Sequence, residues 1–561
     1  MVSNSSNNED KRDVLITDST NSLNVKVQVP EGEDSRFINW RKLWSFSGPG
    51  LLMSIAYLDP GNIESDLQSG AMAQYKLLWI LLSAHILGLT LQRLAARVGV
   101  VTGQHMAEIC YNYYPRAPRW ILWIMVEIAI IASDMQEVIG TAIALYLLSN
   151  KHIPLWAGVL ITILDTFTFL FLDKYGVRKF EAFFGFLISI MACTFGYQFF
   201  YSLPPAGETL AGIYTPWCVD CNSEQILQGV SIIGAVVMPH NFYLHSALVK
   251  SRQIDRTNKA KIKEANKYFF IDSAFSLAVS FVINVFVMCV FGKGLYGKTN
   301  ADIYGECQRK SNDLPDFYRD VFPNNADPAI SDIYHAGIFL GCSVGVFALY
   351  IWAVGIIASG QSSTMTGTYA GQFAMEGFLQ IRISRWKRIL ITRSLAILPT
   401  IIVTIFSKGV DHITGLNDLL NCVMIIQLPF AIFPLMTFAA DKKLMGSFIM
   451  CKTQKVIAMI ISVVIIVINY YFLYEYLSDK LGTIWYWWTI VAFGATFYTL
   501  CGAYVIVYCM MAFRIIKHEN CGPLFKRTFP LPQYNAYSTP WSNLPITDNH
   551  HINNGFNEDK N

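Results

Sequence analysis

The chain has 561 residues, a net charge of +3 and a mean hydropathy of +0.36, and 53% of its residues are hydrophobic. Only 15% are Asp, Glu, Lys or Arg, against about 25% in a soluble domain, which excludes disorder over most of the length and an ordinary cytosolic enzyme. A charge so near neutral gives no argument for nucleic acid, and twelve cysteines in this length do not make a disulfide scaffold.

The first 44 residues are rich in Ser, Asn and Asp and contain no apolar h-region. They predict a disordered tail, 1–44, and no cleaved signal peptide. Twelve apolar stretches follow, of roughly the 20 residues that cross a bilayer. They are 46–70, 77–97, 119–148, 155–173, 181–203, 226–249, 268–292, 336–361, 388–406, 416–438, 455–477 and 484–513. The predicted fold class is therefore an all-α polytopic membrane protein with twelve transmembrane helices. Aromatic clusters such as Trp485-Tyr486-Trp487-Trp488 mark span ends, as interfacial belts do. The segment 514–561 carries Pro, Asn and His without a period and predicts a second disordered tail.

Orientation follows from Lys and Arg in the loops. The loop after span six holds Lys250, Arg252, Arg256, Lys259, Lys261, Lys263 and Lys267. Those after spans four, eight and ten are also basic, while the loop after span five has no Lys or Arg. In the long loop 293–335 acids outnumber bases. The positive-inside rule puts even-numbered loops and both termini in the cytosol. The loop 293–335 and the Cys218-x-x-Cys221 pair fall on the other side. There the pair reads as a disulfide, with each other or with Cys307, or more weakly as a metal-capture motif.

Two spans are interrupted. Span one contains Asp59-Pro60-Gly61-Asn62, and span six contains Met238-Pro239-His240-Asn241. Pro removes a backbone donor and clashes one turn back, and Gly weakens a helix. Unwound backbone survives at membrane depth only where it is buried in protein or lines a cavity. One proline kink is ordinary. Two in matching places, five spans apart, point to an inverted repeat with a ligand between the breaks. Asp59 offers a hard anionic oxygen, Asn62 a neutral oxygen, and carbonyls near Ala235 another. Met238 offers a thioether, which is out of place in a Mg2+ or Ca2+ site. Met at a span centre is more often filler, but this one adjoins the break. The set suits a divalent transition metal such as Fe2+ or Mn2+.

These two motifs resemble those of the Nramp family, which contains the proton-coupled divalent metal transporters. So do the loop Gln361-Ser362-Ser363-Thr364-Met365-Thr366-Gly367-Thr368-Tyr369, the run Asp134-Met135-Gln136-Glu137-Val138-Ile139-Gly140 and the run Gln427-Leu428-Pro429-Phe430-Ala431. The resemblance runs from about Pro49 to Leu435, more loosely beyond, and is close to the animal members. It implies a LeuT-type fold in which spans 1–5 and 6–10 are inverted repeats with discontinuous helices 1 and 6. The transport core would then be 45–440 and the peripheral helices 441–513. It also implies a metal site of Asp59, Asn62, the Ala235 carbonyl and Met238, with Asn421 as a further polar contact.

Charge inside a bilayer is expensive and needs a reason. Asp134 and Glu137 share a face of span three at i, i+3, and Arg393 on span nine is the deep cation that could pair with them. From the residues alone, a structural ion pair and a proton relay stand even. The resemblance favours a proton route from Asp59 through Asp134 and Glu137 toward Arg393. His240 and His245 are spaced i, i+5, poorly for two ligands on one face. They read as modulators of proton coupling or gating. Glu64 and Asp66 are expected in an outer vestibule, and Asp272 and Glu376 near cytosolic span ends in solvent.

The functional expectation is a secondary active transporter that couples proton influx to uptake of Fe2+, Mn2+ or related ions by alternating access. It is not an enzyme, holds no structural cofactor and binds no nucleic acid. No Gly-x-x-x-x-Gly-Lys-Ser/Thr loop occurs. A sodium-coupled amino-acid carrier on the same fold is one rival, and a metal sensor or channel-like protein another. The expected partners are divalent metal ions, protons and the lipid bilayer, with nothing demanding more than a monomer. The expected location is the plasma membrane or an endosomal or lysosomal membrane.

Overall fold

A computed structural model describes residues 27–30, 39–163, 177–218, 220–309, 314–380, 385–406, 411–481 and 485–532. The described chain is almost wholly helical, with only isolated bridges of extended backbone. Among the described residues nine helical stretches are long and apolar enough to cross a membrane, two of them, spans six and ten, counted across a break. The three remaining expected spans fall short for separate reasons. Span one is divided more widely than span six, with four residues, 56–59, between its halves against two. Span four is described only as Leu155–Ile161 and the two residues after it, and the rest of the expected 155–173 lies outside the described residues. Span nine, Arg385–Phe406, contains Pro399 and a shorter apolar stretch, Leu390–Ile402.

Span one forms the half-helices Pro49–Ile55 and Pro60–Ala73, and span six forms Ser223–Val236 and Pro239–Leu248. In three of the four a proline occupies the first turn, where its missing donor costs nothing. The outer halves of spans one and six pack on each other, and so do the inner halves. The two breaks therefore stand at matching depth. Around them run span two (Leu78–Thr102), span three (Arg116–Leu148), span five (Val177–Ser202) and span seven (Lys259–Gly294). The architecture is the LeuT-type arrangement of two five-span repeats. Spans eleven (Lys452–Leu481) and twelve (Trp485–Ala512) lie outside it and leave large apolar side chains such as Ile460, Phe493 and Leu500 exposed.

Span eight differs from the expected 336–361. A separate helix, Ile333–Ser343, is capped by Asp332 and ends before Gly345, whose φ is +129°. Span eight itself is Val346–Leu379. The stretch Gln361–Tyr369, expected as a loop, is buried helix except for the half-buried Gln361. Its hydroxyls bond back into the helix: Ser362 donates to the Ser359 carbonyl at 2.9 Å, Thr366 to Ser362 at 2.9 Å and Thr368 to Thr364 at 2.8 Å. Hydroxyls satisfied this way carry little desolvation cost. Small residues also permit close packing. A Cβ on Gly360 would fall 2.1 Å from Thr141 Oγ1 of span three, and one on Gly367 would fall 2.5 Å from Asp134 Oδ1. A hydropathy reading finds helices that face lipid and passes over one that faces protein.

Span ten is also divided, into Asp411–Gln427 and Pro429–Ala440. Part of the expected N-terminal tail is ordered. Trp40–Phe46 is a helix capped by Asn39, and Val27 pairs with 251–253 through Val27 N to the Ser251 carbonyl (2.9 Å) and Gln253 N to the Val27 carbonyl (3.0 Å). Past the twelfth span, Phe529 stacks on Tyr504. Cys218 is bonded to Cys221. Cys307 is bonded to Cys342, which removes it as the alternative partner of the Cys218 pair.

Candidate functional site

The break in span one begins at Asp59, whose extended backbone (φ −70°, ψ 162°) turns the chain into Pro60–Ala73. Its Oδ1 accepts from Asn62 N at 2.9 Å and from Asn62 Nδ2 at 2.5 Å, so the motif caps its own helix. Asp59 Oδ2 and Asn62 Oδ1 are buried and have no hydrogen-bond partner. The carbonyls freed by the break are held from outside. Asn284 of span seven donates to the Tyr57 carbonyl at 3.0 Å, and Ser359 of span eight donates to the Leu58 carbonyl. Gln92 of span two donates to the Tyr57 hydroxyl at 3.0 Å.

The break in span six is built differently. Met238 precedes Pro239 with no side-chain cap. Ala235 and Met238 are buried, and Met238 packs in an apolar cluster with Met135 of span three and Leu420 and Met424 of span ten. One side of the candidate site is thus oxygen-rich and the other carries sulfur.

Span three seats the first break. Ideal Cβ atoms on Gly61 and Gly140 would lie 2.5 Å from Gln136 Oε1 and 2.4 Å from Pro60 Cβ. Gln136 Nε2 donates to Asn421 Oδ1 at 2.8 Å and to the Asn417 carbonyl at 3.3 Å. Asn421 Nδ2 donates to Ser231 Oγ at 3.2 Å, and Asn417 donates to Glu64. Span ten is thereby tied to spans one, three and six. Glu64 and Asp66, expected to line an open vestibule, are buried at 2% and 1% exposure. Among the described residues no group of three or more His, Cys, Asp or Glu side chains is placed to hold a metal. A cation at the breaks would rest on one carboxylate and neutral donors.

Asp134, Glu137 and Arg393 are brought together. Arg393 Nη1 lies 3.5 Å from Asp134 Oδ2 and 4.0 Å from Glu137 Oε2. Its Nη2 donates to the Thr364 carbonyl and to Thr368 Oγ1 (2.8 Å), so span eight completes the cluster. Ser133 Oγ donates to Glu137 Oε1 at 3.3 Å. All three charged groups are at most 3% exposed, and one guanidinium faces two carboxylates. His240 and His245 are buried as well. Neither ring nitrogen of His245, nor Nδ1 of His240, has a hydrogen-bond partner, and neither histidine pairs with the span-three carboxylates.

The chain leading into the first half of span one is plugged at Ser45 and Ser47. Arg252, 1% exposed, donates to the Ser45 carbonyl (2.9 Å), the Ser47 carbonyl (2.5 Å) and Glu181 Oε1 (2.8 Å). Arg178 donates to the Ser47 carbonyl (2.9 Å), the Ser45 carbonyl (2.7 Å) and Glu181 Oε2 (3.2 Å). Asp272 was expected in solvent near a span end. It is 5% exposed and accepts from Gly50 N at 2.7 Å, because span one's inner half folds over it.

In the sequence Gln136 stands out only as part of the run 134–140, and Asn417, Ser231, Asn284 and Ser359 carry no motif. A polar side chain on an apolar span was the signal available, and it does not say which neighbour the group meets.

Residues 50–475 match the model of the family described as Nramp, natural resistance-associated macrophage protein-like. The chain is 59% identical over 529 residues to the NRAMP-like transporter smf-3 of Caenorhabditis elegans, covering 94% of this chain and 93% of that one. It is 57% identical over 457 residues to natural resistance-associated macrophage protein 2 of Homo sapiens, covering 82% and 79%. Its structure is similar to that of a mutant of the Eremococcus coleocola manganese transporter, with a TM-score of 0.74, 30% identity and coverage of 88% and 98%.

Proposed function

This chain belongs to the Nramp family, and we propose that it is a multi-pass secondary transporter that carries divalent transition metal ions into the cytosol with protons. The observation that carries the reading is the Asp59–Asn62 pair. At a helix break inside the bundle, a carboxylate and an amide each present a buried oxygen with no donor facing it. Unpaired buried acceptors are costly, and a cation is the occupant that satisfies several at once. Met238 and the Ala235 carbonyl come from the facing break, and the thioether disfavours Ca2+ and Mg2+. Asn421 reaches the same region from span ten. Fe2+ and Mn2+ are the proposed cargo.

Binding of a dication beside Asp59 favours its ionised form, and the proton released needs an acceptor. Span three supplies Glu137 and Asp134, and Arg393 holds their charge. Gly140 and Gln136 of the same span touch the break itself, which supports a relay that begins beside Asp59. His240 and His245 adjust the pH at which this occurs. Spans one and six then rock against spans three and eight, which opens the plug at Arg252 and Asp272. An inside-negative potential adds about 2.3 kcal/mol per charge per 100 mV. Both termini face the cytosol, at the plasma membrane or an endosomal or lysosomal membrane.

The test is Mn2+ uptake in cells expressing the wild type, Asp59→Ala and Met238→Ala at an external pH of about 5.5 and about 7.4, bracketing the range where a proton gradient matters. Uptake higher in acid, lost with Asp59→Ala and opened to Ca2+ by Met238→Ala supports the proposal. A wild type that reaches the surface and takes up no Mn2+ overturns it.

A further inference from the structure

We propose that Gln136 of span three is a specificity-determining member of the metal site, presenting its amide oxygen to the cation between Asp59 and Asn62. The inference rests on the metal-site reading above and adds a donor from a span to which that reading assigned only charge.

The orientation of this amide is settled by chemistry. An amide can be placed either way round, and the neighbours decide. One end of Gln136 faces the Asn417 main-chain carbonyl, which can only accept, at 3.3 Å. That end must be the NH2 group, and it also meets Asn421 Oδ1 at 2.8 Å. The oxygen is therefore the amide atom nearest Gly61, where an ideal Cβ would lie 2.5 Å from it and 3.0 Å from Nε2. Any side chain at position 61 would occupy the space between this oxygen and the break.

Three observations converge there. Gln136 is 0% exposed and its Oε1 has no hydrogen-bond partner. Asp59 Oδ2 and Asn62 Oδ1, on either side of Gly61, are buried and unpartnered too. Asn421 Oδ1 is already engaged by Gln136. Three buried acceptors with no donor facing them thus lie on or against the one turn Asp59-Pro60-Gly61-Asn62, and a cation would satisfy them together. Asn421 acts by fixing the amide, with Ser231 fixing Asn421 in turn at 3.2 Å. A neutral oxygen in this place raises the share of hard donors against the single thioether of Met238. It therefore favours Mn2+ and Fe2+ over softer Cd2+.

The experiment measures binding of Mn2+ and of Cd2+ to the purified full-length protein by calorimetry, together with Mn2+ uptake. The variants are Gln136→Leu, Gln136→Glu and Asp59→Ala. Gln136→Leu, which removes the oxygen, is expected to weaken Mn2+ binding by about tenfold or more and Cd2+ binding by less. Gln136→Glu keeps an oxygen at Gly61 and loses the donor toward span ten. It is expected to hold Mn2+ binding within about threefold, below the cost of losing an outer-shell partner. Equal losses of Mn2+ and Cd2+, equal losses in the Leu and Glu variants, or an unchanged Mn2+ affinity in Gln136→Leu would each overturn the proposal. If Asp59→Ala abolishes Mn2+ binding while Gln136→Leu does not weaken it, this inference alone falls. If Asp59→Ala leaves Mn2+ binding intact, the metal-site reading falls with it.

Discussion

The two breaks look alike in sequence, each an x-Pro-x-Asn interruption, and they are built on different principles. At span one the freed Tyr57 and Leu58 carbonyls are bonded by side chains from spans seven and eight, and Asp59 caps the next half-helix. At span six Met238 provides no cap and is seated among Met135, Leu420 and Met424. One break is fixed by directional bonds and the other by soft, adaptable packing. Geometry is strict where the hard oxygens are and yielding where the sulfur is. A site that must bind a metal and then release it has reason to be stiff on one side only.

The comparison can be broken or sharpened by substitution. Removing the carboxylate has the largest expected effect. Asp59→Ala should lower Mn2+ uptake by more than about 100-fold, beyond the usual cost of an outer-shell partner. Radiotracer uptake at matched surface expression checks it. Next comes Arg393→Met, which strands Asp134 and Glu137 and should destabilise the protein by about 3–5 kcal/mol. Thermal unfolding of the purified protein reads this, and Asp134→Asn in the same chain should recover part of the loss.

Bracing and packing separate in the next pair. Asn284→Leu leaves the Tyr57 carbonyl unbonded and should cost about 1–3 kcal/mol. Met238→Leu should cost under about 1.5 kcal/mol in stability while changing the ranking of transported metals. If Met238→Leu proves the more destabilising of the two, the contrast between the breaks is wrong. The smallest effect belongs to the Lys42–Glu264 pair at 2.6 Å, whose Glu264 side chain is 34% exposed. Lys42→Gln should change stability by about 1 kcal/mol or less, readable in the same unfolding assay.

Much of this was legible beforehand for reasons that can be named. Pro60 and Pro239 marked the breaks because each sits mid-span among polar residues in a matching x-Pro-x-Asn motif, whereas Pro399 stays inside a continuous helix. Asp134, Glu137 and Arg393 could be paired because buried charge requires a partner. Span eight was misplaced because its buried half is Ser, Thr and Gly, and its hydroxyls are satisfied within the helix. Hydropathy does not register that satisfaction. The division of span ten at Pro429 passed unmarked because Leu428 and Phe430 kept the run apolar. Gln136 escaped for a further reason. An amide has a donor and an acceptor, and its role depends on which end is engaged, here by a main-chain carbonyl 281 residues away. Asp272 was misread because distance from a span centre does not measure burial when another half-helix folds over the group.

The plug at Ser45 and Ser47 has an electrical consequence. It is assembled from two guanidinium groups, Arg178 and Arg252, and two carboxyl groups, Glu181 and Asp272. With both acids ionised its charges cancel. A plug with surplus positive charge would raise a barrier against a dication travelling inward, and one with surplus negative charge would become a trap for it. A balanced plug does neither. Parting it would rearrange opposite charges without leaving a field of either sign across the opening.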